Sequence, residues 1–428
     1  MERVPALDGL RAVAIVMVVG YHVNRGMVPA GYWGVILFFV LSGYLITRLL
    51  CAEVDRNGRV DVRLFYLRRV LRLLPALIVV CLVLLAVGTA WSGVVPTLGY
   101  YANYARIAGL DVGPLAHTWS LAVEEHFYLL WPLVIVAVPA RQRVRVIGLL
   151  AAAAIAWRVI ATGVMSPSWV YNATDTNAAA LLAGCYLAVA RPRAWRWARW
   201  SIPALLALMF LPVFGEESPA FVWGGFVAIG LGVVAVQHAV LRPSWLEGPV
   251  LVWLGKASYG LYLWHYVLVR SDIPIWAALP LTVASAAASW YLVEEPVRRW
   301  RVRLEKRNPN WASEPLDRAK RRLLMAVSRG PFRVVRARSG ATPVATRRWG
   351  SPQIDRVIPT RSTLGRWPTA LSSARRNVMP AALRLTPHHK KKATSVGGLK
   401  VMPMALRLRQ HRDVAWVPAH AIAPSAGR

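Results

Sequence analysis

The sequence predicts an all-α polytopic membrane protein, in which about ten transmembrane helices form a bundle and a mostly disordered basic tail follows them. Hydrophobic residues make up 56% of the 428 residues and charged residues 17%, too few charges to cover a soluble protein. Several apolar stretches approach the length of about 20 residues that a helix needs to cross a bilayer. We therefore divide the chain into a transmembrane domain, residues 1–302, and a cytoplasmic tail, residues 303–428.

The apolar stretches give the bundle ten candidate spans. The first stretch lacks a small-residue cleavage site and leads directly into the second, so we interpret it as a permanent helix. The sixth and seventh stretches are short enough to be tilted or broken. The predicted spans are 10–26, 33–50, 70–90, 118–138, 145–163, 176–190, 201–213, 220–240, 250–269 and 275–295.

The connections between the spans alternate in charge. Basic residues cluster after every second span, namely Arg56, Arg59, Arg63, Arg68, Arg141, Arg143, Arg145, Arg191, Arg193, Arg199, Arg242 and Lys256. The opposite connections hold only Arg25, Arg106 and Arg270, together with Glu216 and Glu217. Positive residues favour the cytoplasmic side. We therefore expect a multi-pass protein of the plasma membrane with both termini in the cytoplasm.

The first span carries ionisable residues, which are costly inside a membrane and often functional. Arg11 and His22 are eleven residues apart, so they share nearly the same helix face, about 16 Å apart along the axis. This face presents a cation near the cytoplasmic end and an imidazole near the outer end. The alternative is that Arg11 snorkels as an interfacial anchor and His22 is an ordinary interfacial residue.

The fourth span begins with a polar segment, residues 117–128, which contains Glu124, Glu125 and His126. Two adjacent carboxylates and a histidine are hard to explain by packing in an apolar helix. Ser120, Glu124 and Tyr128 share a face through their i, i+4 spacing. The alternative is an interfacial acidic pair that the helix N-terminus stabilises.

The last two spans add weaker signals. The ninth contains His265, and a single histidine of this kind is more often structural than catalytic. The tenth ends at Glu294, Glu295 and Pro296 before an arginine-rich segment, a pattern that also fits a plain helix stop.

Several better-known signatures are missing from the sequence. It contains no GxxxxGK[ST] phosphate loop, no HExxH and no paired CxxC, so ATP-driven pumping and zinc proteolysis have no support. The three cysteines are too scattered for a metal site, and we expect no metal. A GxSxG elbow is also missing, and we expect no fused SGNH-like hydrolase domain.

Seven motifs between about Pro5 and Trp300 follow one another in the order of a known family. They are LDGLR at 7–11 with His22; GYWGV at 31–35 with FFVLSGYL at 38–45; Phe65, Arg69, Arg72 and Pro75; WSLAVEEHFY at 119–128; TDT at 174–176; SYGLYLWH at 258–265; and EEP at 294–296. The chain thereby resembles the acyltransferase-3 family of membrane O-acyltransferases, which modify bacterial polysaccharides, lipopolysaccharide, peptidoglycan and some antibiotics. The sequence departs from the family at His126, where glutamine is usual, and at Asn177, where arginine is usual. The second departure removes a cation and puts ligand binding near Asp175 in doubt.

The resemblance implies transfer of an acyl group, commonly acetyl, from cytoplasmic acyl-CoA to a hydroxyl of a carbohydrate, glycosylated or antibiotic acceptor. His22 is then catalytic, with Arg11 on the same helix face and Glu124 placed to orient or charge-balance it. An imidazole can take the hydroxyl proton or carry the acyl group covalently, and both routes stay open. The resemblance implies no bound cofactor besides the donor substrate.

We expect the remaining site residues to bind the acyl donor or the acceptor. Arg69 and Arg72 suit the phosphates of CoA, because guanidinium groups pair well with phosphate oxygens; the alternative is ordinary positive-inside charge. The others are Ser42, Trp119, Asp175, Tyr259 and His265.

The tail is rich in Pro, Arg, Ala, Ser and Thr without sustained apolar periodicity, which predicts disorder. Residues 316–329 are candidates for a short amphipathic helix on anionic lipids. The basic run 388–392 lacks interleaved aromatic residues, so we expect no nucleic-acid binding.

Two other functional classes compete with the acyltransferase. A transporter also contains buried charges, but it predicts internal repeats, which the sequence lacks. A catalytically inactive, partner-binding membrane protein is the other alternative, which Asn177 and the unusual tail keep open.

Overall fold

The structure is a computed structural model that describes residues 4–192, 196–215, 218, 220–241 and 245–307. Four of the charged loop residues named above, Arg193, Glu216, Glu217 and Arg242, lie outside the described residues. The predicted tail also lies outside them beyond Arg307.

The described residues form helices and contain no strand, which confirms the predicted all-α class. Helices satisfy their own backbone hydrogen bonds, as a chain in lipid requires. The first half contains α1 (Pro5–Val23), α2 (Trp33–Asn57), α3 (Val62–Ala86), α4 (Trp91–Leu98), α5 (Ala102–Ile107), α6 (Trp119–Ala137) and α7 (Arg143–Val164). The second half contains α8 (Pro167–Asn172), α9 (Thr174–Ala190), α10 (Ser201–Leu208), α11 (Phe221–Leu241), α12 (Pro249–Lys256), α13 (Ser258–Val269), α14 (Ile275–Ser289) and α15 (Glu295–Arg307).

Seven helical segments of the described part are long and apolar enough to cross a membrane. They are Pro5–Val23, Trp33–Asn57, Val62–Ala86, Gly113–Ala137, Ala140–Val164, Phe221–Leu241 and Ile275–Arg307. The other three predicted spans coincide with shorter helices: α9 has 17 residues, α10 has 8, and the ninth span is divided at Ala257 into α12 and α13. Whether these three cross the bilayer stays a prediction.

Helix boundaries differ from the predicted spans where polar residues extend a helix. α3 begins at Val62 rather than near residue 70, because the Asp61 carboxylate caps it by accepting from the Leu64 N–H at 2.9 Å. The Glu294–Pro296 segment is not a helix stop. A π-helical turn (Trp290–Glu294) precedes α15, and the helical path continues to Arg307. Pro296 fits there because it lies in the first turn of α15, where a missing N–H costs little.

Small residues bring the central helices into close contact. A Cβ added at Gly43 on α2 would lie 1.9 Å from the Leu181 carbonyl oxygen, and one at Gly184 on α9 would lie 2.0 Å from the Val40 oxygen. Likewise, a Cβ at Gly255 on α12 would lie 1.8 Å from the Asp8 oxygen on α1. Glycine permits such backbone approach in membrane helices. The Gly255 contact seats α1 beside α12 and α13, which brings the polar residues of α1 to those of α13.

Candidate active site

Helix α1 carries its two predicted site residues toward opposite ends. Arg11 lines a large cavity, and its Nε is buried without a hydrogen-bond partner. His22, in the last turn, is half-buried and lies among other aromatic and imidazole rings. The structure therefore separates a cationic end of α1 from an imidazole end.

His22 lies against His265 of α13. The His265 Nε2 atom is 3.2 Å from His22 Nδ1, and His22 Nδ1 is also 2.9 Å from the Val18 carbonyl oxygen. His265 is fully buried, and its Nδ1 lies 2.7 Å from the Tyr262 oxygen and 3.2 Å from the Leu261 oxygen. The two predicted residues are thus in direct contact.

A third histidine completes this group, which we call the histidine cluster: His22, His117 and His265. His117 is 3% exposed, neither of its ring nitrogens has a hydrogen-bond partner, and its ring centroid lies 5.4 Å from that of His265. The Tyr262 hydroxyl donates to the His117 carbonyl oxygen and lies 2.8 Å from Ser120 Oγ. No role is predicted for His117 from the sequence, and the available signal was its position just before the motif at 119–128.

The acidic pair of α6 makes a separate polar network. Ser42 Oγ donates to Glu124 Oε1 at 2.7 Å, which joins two predicted site residues. Arg69 Nε donates to Glu125 Oε1 at 2.8 Å, and the Arg69 guanidinium lies 3.1 Å from the centre of the Tyr128 ring. Among the described residues, the side-chain hydrogen bond of Glu124 goes to Ser42 and none reaches His22. His22 contacts His265 instead, and the orienting or charge-balancing role expected of Glu124 stays a prediction.

The Arg11 end of α1 opens into a cavity of about 770 Å³, which we call the arginine cavity. Its basic lining comes from α1, α3, α12 and α15, namely Arg11, Arg68, Arg69, Arg72, Lys256, Arg298, Arg299 and Arg301. Tyr259 also lines it, and its hydroxyl donates to the Leu73 oxygen at 2.9 Å. The arginines of α15 were not among the predicted site residues, because the predicted tenth span ends before them.

The cations of the arginine cavity differ in how they are neutralised. Arg68 pairs with Glu305 through two contacts of 2.9 and 3.0 Å, and Arg69 pairs with Glu125. Arg72 is exposed to the cavity and forms no ion pair within the part of the chain that the structure describes. A guanidinium that no carboxylate contacts directly is available to an anionic ligand.

Asp175 and Trp119, two further predicted site residues, lie apart from the histidine cluster, from the polar network of Glu124 and Glu125, and from the arginine cavity. The Asp175 Oδ2 atom accepts from the indole N–H of Trp157 at 2.7 Å and of Trp169 at 3.3 Å. Trp119 packs on Tyr171, with ring centroids 4.8 Å apart. Neither one hydrogen-bonds to the histidine cluster.

Asn177 stands where the family usually has arginine, but another arginine side chain lies beside it. Arg158 of α7 is 5% exposed and lines the same small void as Asn177 and Trp119. Its Nη1 donates to the Thr176 oxygen at 3.0 Å, while its Nε has no partner. Asn177 itself donates to the Tyr171 and Ala173 oxygens. Positive charge is therefore present beside Asn177.

No group of three His, Cys, Asp or Glu side chains within the described ranges could hold a metal ion.

Comparison with known proteins gives a consistent result. A family described as "Acyltransferase domain" matches residues 4–294. A Staphylococcus aureus protein that is provisionally named an O-acetyltransferase is 32% identical over 394 residues, which cover 78% of this chain and 63% of the relative. The peptidoglycan O-acetyltransferase of Listeria monocytogenes is 32% identical over 351 residues, which cover 70% of this chain and 56% of that protein.

A third relative, provisionally named a peptidoglycan O-acetyltransferase of Bacillus subtilis, is 33% identical over 353 residues, covering 69% of this chain and 55% of the relative. The chain thus spans about three fifths of the length of the curated relatives it matches. No solved structure matches the chain.

Proposed function

Because this chain belongs to the acyltransferase-3 family over residues 4–294, we propose that it is a membrane O-acyltransferase. It moves an acyl group, commonly acetyl, from acyl-CoA to a hydroxyl of a carbohydrate-type acceptor of the cell envelope. One observation carries the proposal: α1 joins a cation-lined cavity at Arg11 to an imidazole at His22. The acetyl group and the envelope acceptor are suggested by the names of the relatives.

The arginine cavity is the proposed donor site. Its volume of about 770 Å³ suits a cofactor-sized ligand, and its lining concentrates guanidinium groups that pair with phosphate oxygens. Arg72 contributes most, because it lines the cavity and has no ion pair among the described residues to give up. Arg11 lies deeper along α1 and guides the acyl end of the donor toward His22, about 16 Å away along the helix.

The histidine cluster is the proposed reaction site. In the general-base route, a ring nitrogen of His22 takes the proton of the acceptor hydroxyl while its oxygen attacks the thioester carbonyl carbon. The C–O bond forms, the C–S bond breaks, and the imidazolium returns the proton to the departing CoA thiolate. In the covalent route the imidazole nitrogen first attacks the thioester carbonyl carbon, the C–S bond breaks and CoA leaves as the thiolate, so the acylated ring carries the positive charge. The acceptor hydroxyl then attacks the acyl carbon, the C–N bond breaks to restore the neutral imidazole, and the hydroxyl proton passes to the CoA thiolate.

Residues that lie away from both regions take supporting roles in this proposal. Ser42 and Glu124 form a hydrogen-bonded pair that links α2 to α6. This pair lies next to the ion pair of Arg69 with Glu125 and keeps the polar interior of the bundle in place. Trp119 and Asp175 provide an aromatic face and a carboxylate for the acceptor sugar, and Arg158 supplies the positive charge near Asn177.

The proposed location is the plasma membrane, with both termini cytoplasmic and the arginine cavity open to cytoplasmic acyl-CoA. The alternating basic connections support this orientation. Topology reporters fused after Arg59 and after Arg301 should both report cytoplasm, and a reporter fused after Glu217 should report the outside. A cytoplasmic signal at Glu217 would overturn the orientation of the seventh-to-eighth connection.

Acyl transfer itself is tested with the full chain in nanodiscs. Acetyl-CoA labelled in the acetyl group is mixed with a panel of acceptors that includes peptidoglycan fragments and neutral glycans. We expect label to enter the acceptor as an alkali-labile ester, together with acceptor-dependent release of free CoA thiol. The proposal fails if folded protein consumes no acetyl-CoA with any member of the panel and with native envelope material.

A further inference from the structure

We propose that His265 is a positioning residue, which holds His22 in the tautomer whose Nε2 is the reacting atom and stabilises the His22 ring when it becomes positively charged. The inference rests on the proposed function, because it concerns the same His22. Its starting point is a contact that no sequence spacing predicts: the two residues are 243 positions apart and their rings are in hydrogen-bond contact at 3.2 Å.

Backbone oxygens fix the proton of His265. Its Nδ1 atom faces the Tyr262 oxygen at 2.7 Å and the Leu261 oxygen at 3.2 Å. Carbonyl oxygens only accept hydrogen bonds, so Nδ1 must carry the ring proton. A neutral imidazole has one protonated nitrogen, and the Nε2 atom of His265 therefore has a free lone pair.

The lone pair of His265 in turn determines the proton of His22. The Nδ1 atom of His22 faces two acceptors, the Val18 oxygen at 2.9 Å and His265 Nε2 at 3.2 Å. Both contacts are satisfied only when His22 Nδ1 is the protonated nitrogen. The lone pair of His22 then lies on Nε2, which makes no hydrogen bond within the described part of the chain. His22 thus has one defined basic atom.

The contact gains strength during the reaction. When His22 Nε2 takes a proton or an acyl group, the ring becomes cationic and its Nδ1–H becomes a charged donor. Hydrogen bonds from charged donors are roughly twice as strong as neutral ones. His265 therefore stabilises the charged state more than the resting state, which is the condition for an effect on turnover rather than on substrate binding. His265 has this effect in both the general-base and the covalent route, because the His22 ring is cationic in each.

The surroundings keep His265 in place. It is fully buried on α13, and one turn earlier Tyr262 is hydrogen-bonded to Ser120 and to the His117 carbonyl. These contacts fix the Tyr262 carbonyl that orients His265. Within the described residues the acceptor for His22 is a neutral imidazole rather than a carboxylate, as suits a site where a buried charge would be costly.

The test compares three substitutions at His265 in the full chain. The amide oxygen of His265→Gln can reach the position of Nε2, whereas that of His265→Asn reaches only the position of Nδ1, and His265→Phe offers no acceptor. We expect kcat to fall about 10- to 100-fold in the Phe and Asn variants and several-fold less in the Gln variant, with KM for acetyl-CoA within about twofold. His126→Gln, a histidine outside the cluster, is the matched control and should turn over at the wild-type rate.

A kcat within twofold of wild type for folded His265→Phe would overturn the proposal, as would equal losses in the Gln and Asn variants. A second measurement does not depend on activity. Nitrogen NMR of histidine-labelled wild-type protein should show His22 protonated at Nδ1, with the signal assigned by its loss in His22→Ala. Protonation at Nε2 would contradict the proposed tautomer. If the wild type transfers no acyl group, the proposed function fails, and the NMR result still decides the hydrogen-bond arrangement.

Discussion

The histidine cluster and the arginine cavity lie toward opposite ends of α1, and their polar groups are satisfied in different ways. In the histidine cluster, the imidazoles of His22 and His265 share hydrogen bonds with backbone oxygens, so His265 can be fully buried without a counter-ion. In the arginine cavity, guanidinium groups either pair with carboxylates or face open space. A buried cation without either would be costly. In the proposed function, proton chemistry therefore takes place in the enclosed region, and charge recognition takes place where water and a large anion can enter.

The largest expected effect of any single change lies in the histidine cluster. His22→Ala should lower kcat by about 10²–10⁴-fold, because it removes the ring nitrogen that takes the hydroxyl proton or carries the acyl group in the proposed reaction. Thermal stability should change little, since His22 is half-buried and its loss leaves His265 Nε2 as the principal unpaired atom. Acyl-transfer kinetics and a melting curve in detergent check both statements.

His126→Ala, in a part-buried histidine bonded to Thr174, is the control for that substitution and should keep turnover near wild type. Full turnover in well-expressed His22→Ala would remove the chemical role from the cluster, and with it the proposed difference between the two ends of α1.

The sequence predicted that α1 has a cationic end and an imidazole end, but it could not predict which residues of other helices each end contacts. Arg11 and His22 were predictable because each is an ionisable residue in an apolar helix, where chance occurrence is costly. The contact between His22 and His265 depends on which helices pack together. The close approach of α12 to α1 at Gly255, which packs these helices side by side, cannot be predicted from residue spacing. Likewise, hydropathy predicted apolar spans but not that the helical path continues past Pro296 and brings α15 to the cavity.

A second prediction separates the two kinds of cation within the arginine cavity. Arg72→Ala should raise KM for acetyl-CoA about 10-fold and leave stability nearly unchanged, because Arg72 has no ion pair in the described residues. Arg69→Ala should also weaken donor binding, and in addition it should lower stability by about 3 kcal/mol, because Glu125 would be left largely buried without its partner.

Kinetics with varied acetyl-CoA and denaturation of the two variants distinguish these outcomes. An unchanged KM in Arg72→Ala would mean that the unpaired guanidinium is ordinary positive-inside charge, the alternative that the sequence left open. Partial rescue of donor binding by Arg72→Lys is expected, because lysine keeps the charge but loses the two-pronged geometry.

The smallest expected effect concerns the end of the described chain, where two truncations isolate α15. Ending the protein after Arg307 removes residues 308–428 and keeps every basic residue that lines the arginine cavity. We expect its turnover and KM to stay within about twofold of the full chain, since the family match ends at residue 294.

The second truncation ends the protein after Glu294, which also removes Arg298, Arg299 and Arg301 from the cavity and Glu305 from Arg68. That variant should bind acetyl-CoA several-fold more weakly at unchanged kcat, because the loss falls on charge recognition and spares the histidine cluster. Equal donor affinity in the two truncations would show that α15 lines the cavity without contributing to donor binding. A kcat loss in the shorter one would show that the two ends of α1 do not act separately.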